Sequence, residues 1–162
     1  MPELTILTVW QRRCPAAVED VKVLWNRLGA LPQGISAEER AHELCAAAYC
    51  DRNLVGVSTV RMGSLPSLPY CRLGFLRILV APEHRVEGIA LKLCIFSRSV
   101  LEEWSRDNPK ERLLGMAAII ESPELAEQSK QPLWPRTGLN LAGYTPKGEQ
   151  IRIAWFAHAR LE

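Results

Sequence analysis

The stretch Ile78-Leu79-Val80-Ala81-Pro82-Glu83-His84-Arg85-Val86-Glu87-Gly88-Ile89-Ala90 decides how the fold is read. An apolar run ends in a proline turn, and a long stretch with helical apolar spacing follows. The segment therefore predicts a buried strand end, a tight loop and a helix start. Gly88 and Ala90 keep bulky side chains out of the way, so successive backbone N–H groups can converge on an anion at the positive end of the helix dipole. A polyphosphate is the natural guest.

Working outward, Cys71 to Val80 is a strand candidate, densely apolar from Leu73 onward as expected of a strand covered on both faces, with Arg77 as the exception. After the loop, Leu91, Leu93, Cys94, Ile95, Val100, Leu101 and Trp104 recur at helical spacing, so a helix is expected from Ile89 to Trp104, ending before Asp107-Asn108-Pro109. Upstream, Leu4 to about Trp10 reads as a first strand. Ala16 to Leu28 reads as an amphipathic helix stopped by Gly29, and Ser36 with Glu38 and Glu39 as the capped start of a second. Leu44 to Tyr49 fits a helix extension or a strand; the Asp51-Arg52-Asn53 turn and the strong strand Leu54 to Arg61 favour a hairpin. Ser64 to Pro69 is expected to be a loop. Downstream come a strand from Arg112 to Ile120, a short polar helix from Pro123 to Gln131, and a loop from Pro132 to Thr137. A terminal hairpin follows, Leu139 to Tyr144 and Ile151 to His158, turning at Pro146-Lys147-Gly148. This order implies an α+β fold: a mixed, mostly antiparallel central sheet with helices on both faces.

A length of 162 residues suits one domain, residues 1–162, able to bury a core without staples. The five cysteines (Cys14, Cys45, Cys50, Cys71, Cys94) are scattered and form no C-x-x-C pair. They suggest neither a disulfide framework nor a metal site and read as packed, reduced thiols. No apolar run is long enough to cross a bilayer and the first ten residues do not resemble a signal peptide, so a cytoplasmic protein is expected. The net charge of +2 arises from interspersed signs, which argues against a nucleic-acid or membrane-surface partner.

Val80-Ala81-Pro82 followed by Arg85-Val86-Glu87-Gly88-Ile89-Ala90 resembles the acyl-CoA motif of the GNAT superfamily, an apolar strand ending in V-x-P and then Q/R-x-x-G-x-G/A opening a helix. The element order, the Leu54-Val55-Gly56-Val57 strand and the Gly143-Tyr144 pair look GNAT-like too. The resemblance implies an N-acyltransferase that uses acetyl-CoA, or another acyl-CoA, as co-substrate. The amine acceptor would attack the thioester directly in a ternary complex. It also implies that the backbone of Ile78, Leu79 and Val80 pairs with the pantetheine arm, an N–H near Leu79 polarises the carbonyl, and the amides of Arg85, Val86, Glu87, Gly88, Ile89 and Ala90 hold the pyrophosphate. Glu87 is expected to point to solvent, since a carboxylate beside phosphates is repelled. Two positions depart from the pattern: Leu139 stands where members often place an acid tyrosine, and Ser122-Pro123 where they often carry asparagine.

Other residues are candidates for the unfilled roles. Tyr144 is either the acid or a core aromatic, and Glu121 either a base acting through a water or a solvated strand-end carboxylate. His84 is either a titrating group beside the loop or a surface turn residue. Arg77, charged within an apolar strand, either pairs with an internal carboxylate or faces the acceptor cleft and binds an anionic group. Trp134 and Arg136 lie in a loop suited to lining the acceptor side, although Trp134 is equally suited to anchor packing. The competing function is a non-catalytic acyl-CoA-binding or protein-interaction module on the same fold. Exposed strand edges, notably in the last hairpin, leave a homodimer open.

Overall fold

The computed structural model describes residues 3–12, 14–84, 88–121, 133–134 and 136–160. The described elements are β1 (Leu4–Thr8), α1 (Pro15–Leu28), α2 (Ala37–Ala41), β2 (Leu44–Cys50), β3 (Asn53–Leu65), β4 (Leu68–Val80), α3 (Ile89–Asp107), β5 (Leu113–Ile120), β6 (Asn140–Tyr144) and β7 (Gln150–Trp155). The strands form a seven-stranded sheet in the order β1-β2-β3-β4-β5-β7-β6. β4 and β5 pair in parallel, while β1–β2, β2–β3, β5–β7 and β6–β7 are antiparallel. The expected α+β class and mixed sheet are what the chain adopts.

Two compact units divide the chain. The first comprises Met1–Val60 and Arg77–Val100, the second Arg61–Leu76 and Leu101–Glu162.

In the first unit, the period-two alternation of β2 sends successive side chains to opposite faces. Ala46, Ala48 and Cys50 pack with Val55, Val80, Ile89 and Leu93, so this face is covered by α3. Ala47 and Tyr49 turn to the other face, where Ala17, Val21, Leu24 and Trp25 of α1 lie. Helices thus cover both faces. Where Ala48 pairs with Gly56 and Tyr49 with Leu54, Val55 is an extra residue on β3 and forms a bulge. The bulge puts Val55 and Gly56 on the α3 side together.

Gly56 lets α3 approach the sheet. A Cβ there would stand 3.0 Å from Leu93 Cδ1, 3.2 Å from Ile89 Cγ2 and 3.3 Å from the Leu79 carbonyl oxygen. Gly56→Val is therefore expected to lower stability by about 1–3 kcal/mol through overpacking, with Gly56→Ala costing less. The shift of the urea unfolding midpoint at unchanged slope measures it; a Val variant as stable as the parent would show that α3 can lift without cost.

The second unit has its own cluster, Leu65, Leu73, Ala117, Ile151 and Ile153. Here Ser105 at the end of α3 donates its hydroxyl to the Leu113 carbonyl, and its Oγ lies 3.0 Å from Nε2 of His158.

Several expectations hold nearly to the residue. The Ser36 hydroxyl caps α2 by accepting from the Glu39 N–H at 3.1 Å, and Leu44–Cys50 is a strand rather than a helix extension. The expected loop over Ser64 to Pro69 is corrected: β3 runs to Leu65 and β4 begins at Leu68, leaving a turn at Pro66-Ser67. The expected helix from Pro123 to Gln131 lies outside the described residues.

Candidate functional site

The strand end and helix start of the quoted segment both belong to the first unit. Ile78 and Val80 turn toward Ile89 and Leu93, and Leu79 turns toward the α1 cluster. The Ala81 N–H donates to the Val55 carbonyl at 2.8 Å, which ties the strand end to the β3 bulge. A single 3₁₀ turn follows over Pro82–His84, with the His84 N–H donating to the Ala81 carbonyl at 2.9 Å. Arg85, Val86 and Glu87 lie outside the described residues.

Gly88 re-enters with φ +72°, a left-handed conformation natural to glycine, and no heavy atom lies within 4 Å of where a Cβ would stand. Its carbonyl accepts from the Lys92 N–H at 3.2 Å and so begins α3. Ile89 is buried and anchors the helix, whereas Ala90 is exposed. The first N–H groups of a helix have no partner within it, and α3 carries no acidic residue in its first turn. A 19-residue helix thus presents its positive end beside an open glycine.

The nearest described carboxylate on this loop is already engaged. Glu83 accepts from both terminal guanidinium nitrogens of Arg27 at 3.3 Å. A backbone hydrogen bond, reinforced by Arg27, holds its carboxyl below the ordinary range.

The thiols give no nucleophile in the core. Cys45 and Cys94 are buried, and burial pushes each thiol up to about 11, so neither forms a thiolate near neutral pH. Cys50 and Cys71 are buried as well, and Cys14 is half-buried. Among the described residues, no group of three or more His, Cys, Asp or Glu side chains could hold a metal.

Arg77 is exposed, in keeping with its reading as the exception within an otherwise apolar strand. In the second unit, Glu121 is exposed immediately after β5. Tyr144, paired with Gln150 across the hairpin, is 61% exposed and is not the core aromatic that one reading expected. Leu139, which stands where the resemblance leads one to expect a tyrosine, is buried, and Ser122-Pro123 lie outside the described residues.

Trp134 is half-buried and tied down: its N–H donates to the Leu139 carbonyl at 3.0 Å, and its carbonyl accepts from the Thr137 hydroxyl at 3.0 Å. Over its ring, 4.0 Å from the centroid, lies the guanidinium of Arg152. Arg152 is fully buried, donates from Nε to Gln150 Oε1 at 2.9 Å, and was not singled out by the sequence pattern. The available signal was a charge inside the apolar run Ile151 to Ala154, the same signal that drew attention to Arg77.

No family model matches the chain, and no curated protein matches it. Solved structures do. An acetyltransferase of the GNAT family from Streptococcus pneumoniae superposes with a TM-score of 0.60 at 13% identity, over 95% of this chain and 100% of its own. The ribosomal-protein-S18-alanine N-acetyltransferase from Escherichia coli gives 0.51 at 14% identity, over 99% and 97% of the two chains. The chain has the GNAT fold. N-acetylglutamate synthase from Neisseria gonorrhoeae, in a structure with coenzyme A and L-arginine, also shares it: TM-score 0.56 at 14% identity, over 96% of this chain and 34% of that one. The GNAT fold thus accounts for essentially the whole chain. A fold hosts many activities, so function rests on the site. No helix among the described residues is long and apolar enough to cross a membrane.

Proposed function

We propose that residues 1–162 form one acyl-CoA-binding domain that transfers an acyl group, acetyl in the first instance, from acyl-CoA to an amine. The observation that carries this reading is Gly88: a left-handed glycine with open space around it, at the acid-free N-terminus of α3, where a GNAT fold calls for a pyrophosphate cradle. The amides of Gly88, Ile89 and Ala90, with those of Arg85, Val86 and Glu87, would hold the pyrophosphate. The backbone of Ile78, Leu79 and Val80 would pair with pantetheine, and the amine would attack the thioester carbonyl without a covalent enzyme intermediate. Tyr144 is available as acid and Glu121 as base because both are exposed to solvent. Arg77 and Trp134 are the acceptor-side candidates. A cytoplasmic setting, where acyl-CoA is found, fits this chemistry.

Buried Leu139 in place of a tyrosine favours a second reading, an acyl-CoA-binding module without turnover. Two measurements separate the possibilities. Acetyl-CoA is expected to raise the melting temperature, because a ligand that binds only the folded state stabilises it, by about 2.7 kcal/mol at a hundred times its Kd. No shift at saturating ligand would remove the cofactor from the proposal. Release of free thiol with a panel of amines then supports transfer; stabilisation without thiol release leaves the module.

A further inference from the structure

The corner between α1 and the β4–α3 connection holds a charge arrangement that bears on the phosphate cradle. Arg27 stands in the last turn of α1 and Glu83 in the 3₁₀ turn that follows β4. Both terminal guanidinium nitrogens reach the same carboxylate oxygen at 3.3 Å. The pair belongs to the first unit, as do Gly88 and the start of α3. Both ends of the connection rest on neighbouring residues of β3. The Ala81 N–H donates to the Val55 carbonyl at 2.8 Å, and Ile89 packs on Gly56, where a Cβ would stand 3.2 Å from its Cγ2. Glu83 and Gly88 thus flank one short connection, and five residues of chain cannot hold them more than about 18 Å apart.

The signs at this corner are not evenly matched. Glu83 is the one carboxylate among the described residues from Val80 to Leu101. The end of α1 adds the negative pole of a 14-residue helix, and Arg27 is the basic residue of its last turn. One cation therefore meets two negative features. Stability gives little reason for the pair, since its side chains are 52% and 54% exposed and an ion pair so open to water contributes little to folding. Its effect on an anion nearby is larger. Paired, the two charges nearly cancel at a distance; removal of either one exposes the ligand to the other.

We infer that Arg27 sets the affinity of the polyphosphate site by cancelling Glu83 and the negative end of α1. The inference rests on the acyl-CoA reading, in which the pyrophosphate lies at Gly88. Without Arg27, the two charges of the pyrophosphate face a bare carboxylate; without Glu83, they face an uncompensated guanidinium. A unit charge acting on two others through water at roughly 10–15 Å changes binding by about twofold to fourfold.

The test is calorimetric titration of acetyl-CoA into the parent, Arg27→Gln, Glu83→Gln and the double variant. It is run at about 0.01 M salt and again at about 1 M, where the Debye length falls from about 30 Å to about 3 Å. All three variants are expected to fold like the parent, because the pair is exposed. At low salt, Arg27→Gln is expected to weaken acetyl-CoA by about twofold to fourfold and Glu83→Gln to strengthen it by a similar factor. The double variant has the parent's net charge at this corner and is expected to return close to the parent's affinity. High salt is expected to shrink the differences. A pair that merely braced the connection would behave otherwise, since both single variants would then weaken binding and the double variant would not recover it. Single variants weakened together, single variants equal to the parent, or a double variant no better than Arg27→Gln would each overturn the inference while leaving acetyl-CoA binding by the parent in place. Absence of binding by the parent would overturn the acyl-CoA reading and this inference with it.

Discussion

Gly88→Trp is expected to abolish the stabilisation of the protein by acetyl-CoA while leaving it folded. The two effects separate because of what surrounds the glycine. With no heavy atom beyond the adjoining residues within 4 Å of the Cβ position, a side chain can leave the backbone there without an immediate clash. The conformational penalty at φ +72° is about 1–2 kcal/mol, the ordinary cost of a left-handed L-residue. In the proposed complex that open space is filled by the pyrophosphate, and the indole would occupy it. The parent's gain in melting temperature with acetyl-CoA is therefore expected to vanish in the variant. Gly88→Ala is the control, because it carries the same backbone penalty with little bulk and should keep much of the ligand effect. If Gly88→Trp responds to acetyl-CoA like the parent, the phosphate site lies elsewhere and the central proposal fails.

The strand end at Val80, the turn at Pro82 and the helix start at Ile89 were legible because three local signals coincide there: an apolar run, a proline turn, and a small-residue helix start. Interior strands and the amphipathic α1 were legible for a similar reason, since period-two and 3.6-residue patterns are imposed by the burial that defines them. The β3–β4 turn was misjudged because Pro66 and Pro69 both read as loop residues. Pro69 instead occupies the second position of β4, near the strand's start, where proline is tolerated. The bulge at Val55 leaves no mark in composition; it appears only when the register of β2 against β3 is known. Arg77 and Arg152 illustrate the same limit from two sides. Each is an arginine in an apolar strand, yet one is exposed and the other is fully buried. Alternation cannot separate them, since every residue from Gln150 to Ala154 is buried and β7 presents no polar face.

Arg152→Ala is expected to cost about 2–5 kcal/mol of stability, the range for truncating a large buried side chain. The guanidinium gains from several contacts that alanine would lose together: the stack on Trp134 at 4.0 Å, the bond from Nε to Gln150 Oε1 at 2.9 Å, and a longer one from Nη1 to the Leu139 carbonyl at 3.4 Å. Burial lowers the arginine's pKa, but guanidinium starts so far above neutrality that the charge persists. Arg152→Lys retains a charge and loses the planar stack, so it is expected to fall between alanine and the parent. Combining Arg152→Ala with Trp134→Ala in a double-mutant cycle should return a coupling of about 0.5–2 kcal/mol, the range of cation–π contacts. Urea midpoints at unchanged slope report these values. Because Trp134 is also tied to Leu139 and Thr137, loss of Arg152 frees one side of the indole while the loop's backbone bonds remain. If Trp134 lines the acceptor side as proposed, Arg152→Lys should then raise the acceptor's KM with little change in kcat, as expected for loss of binding common to ground and transition states. An Arg152→Lys protein equal to the parent in stability would mean that charge alone, and not the stacked plane, holds this loop.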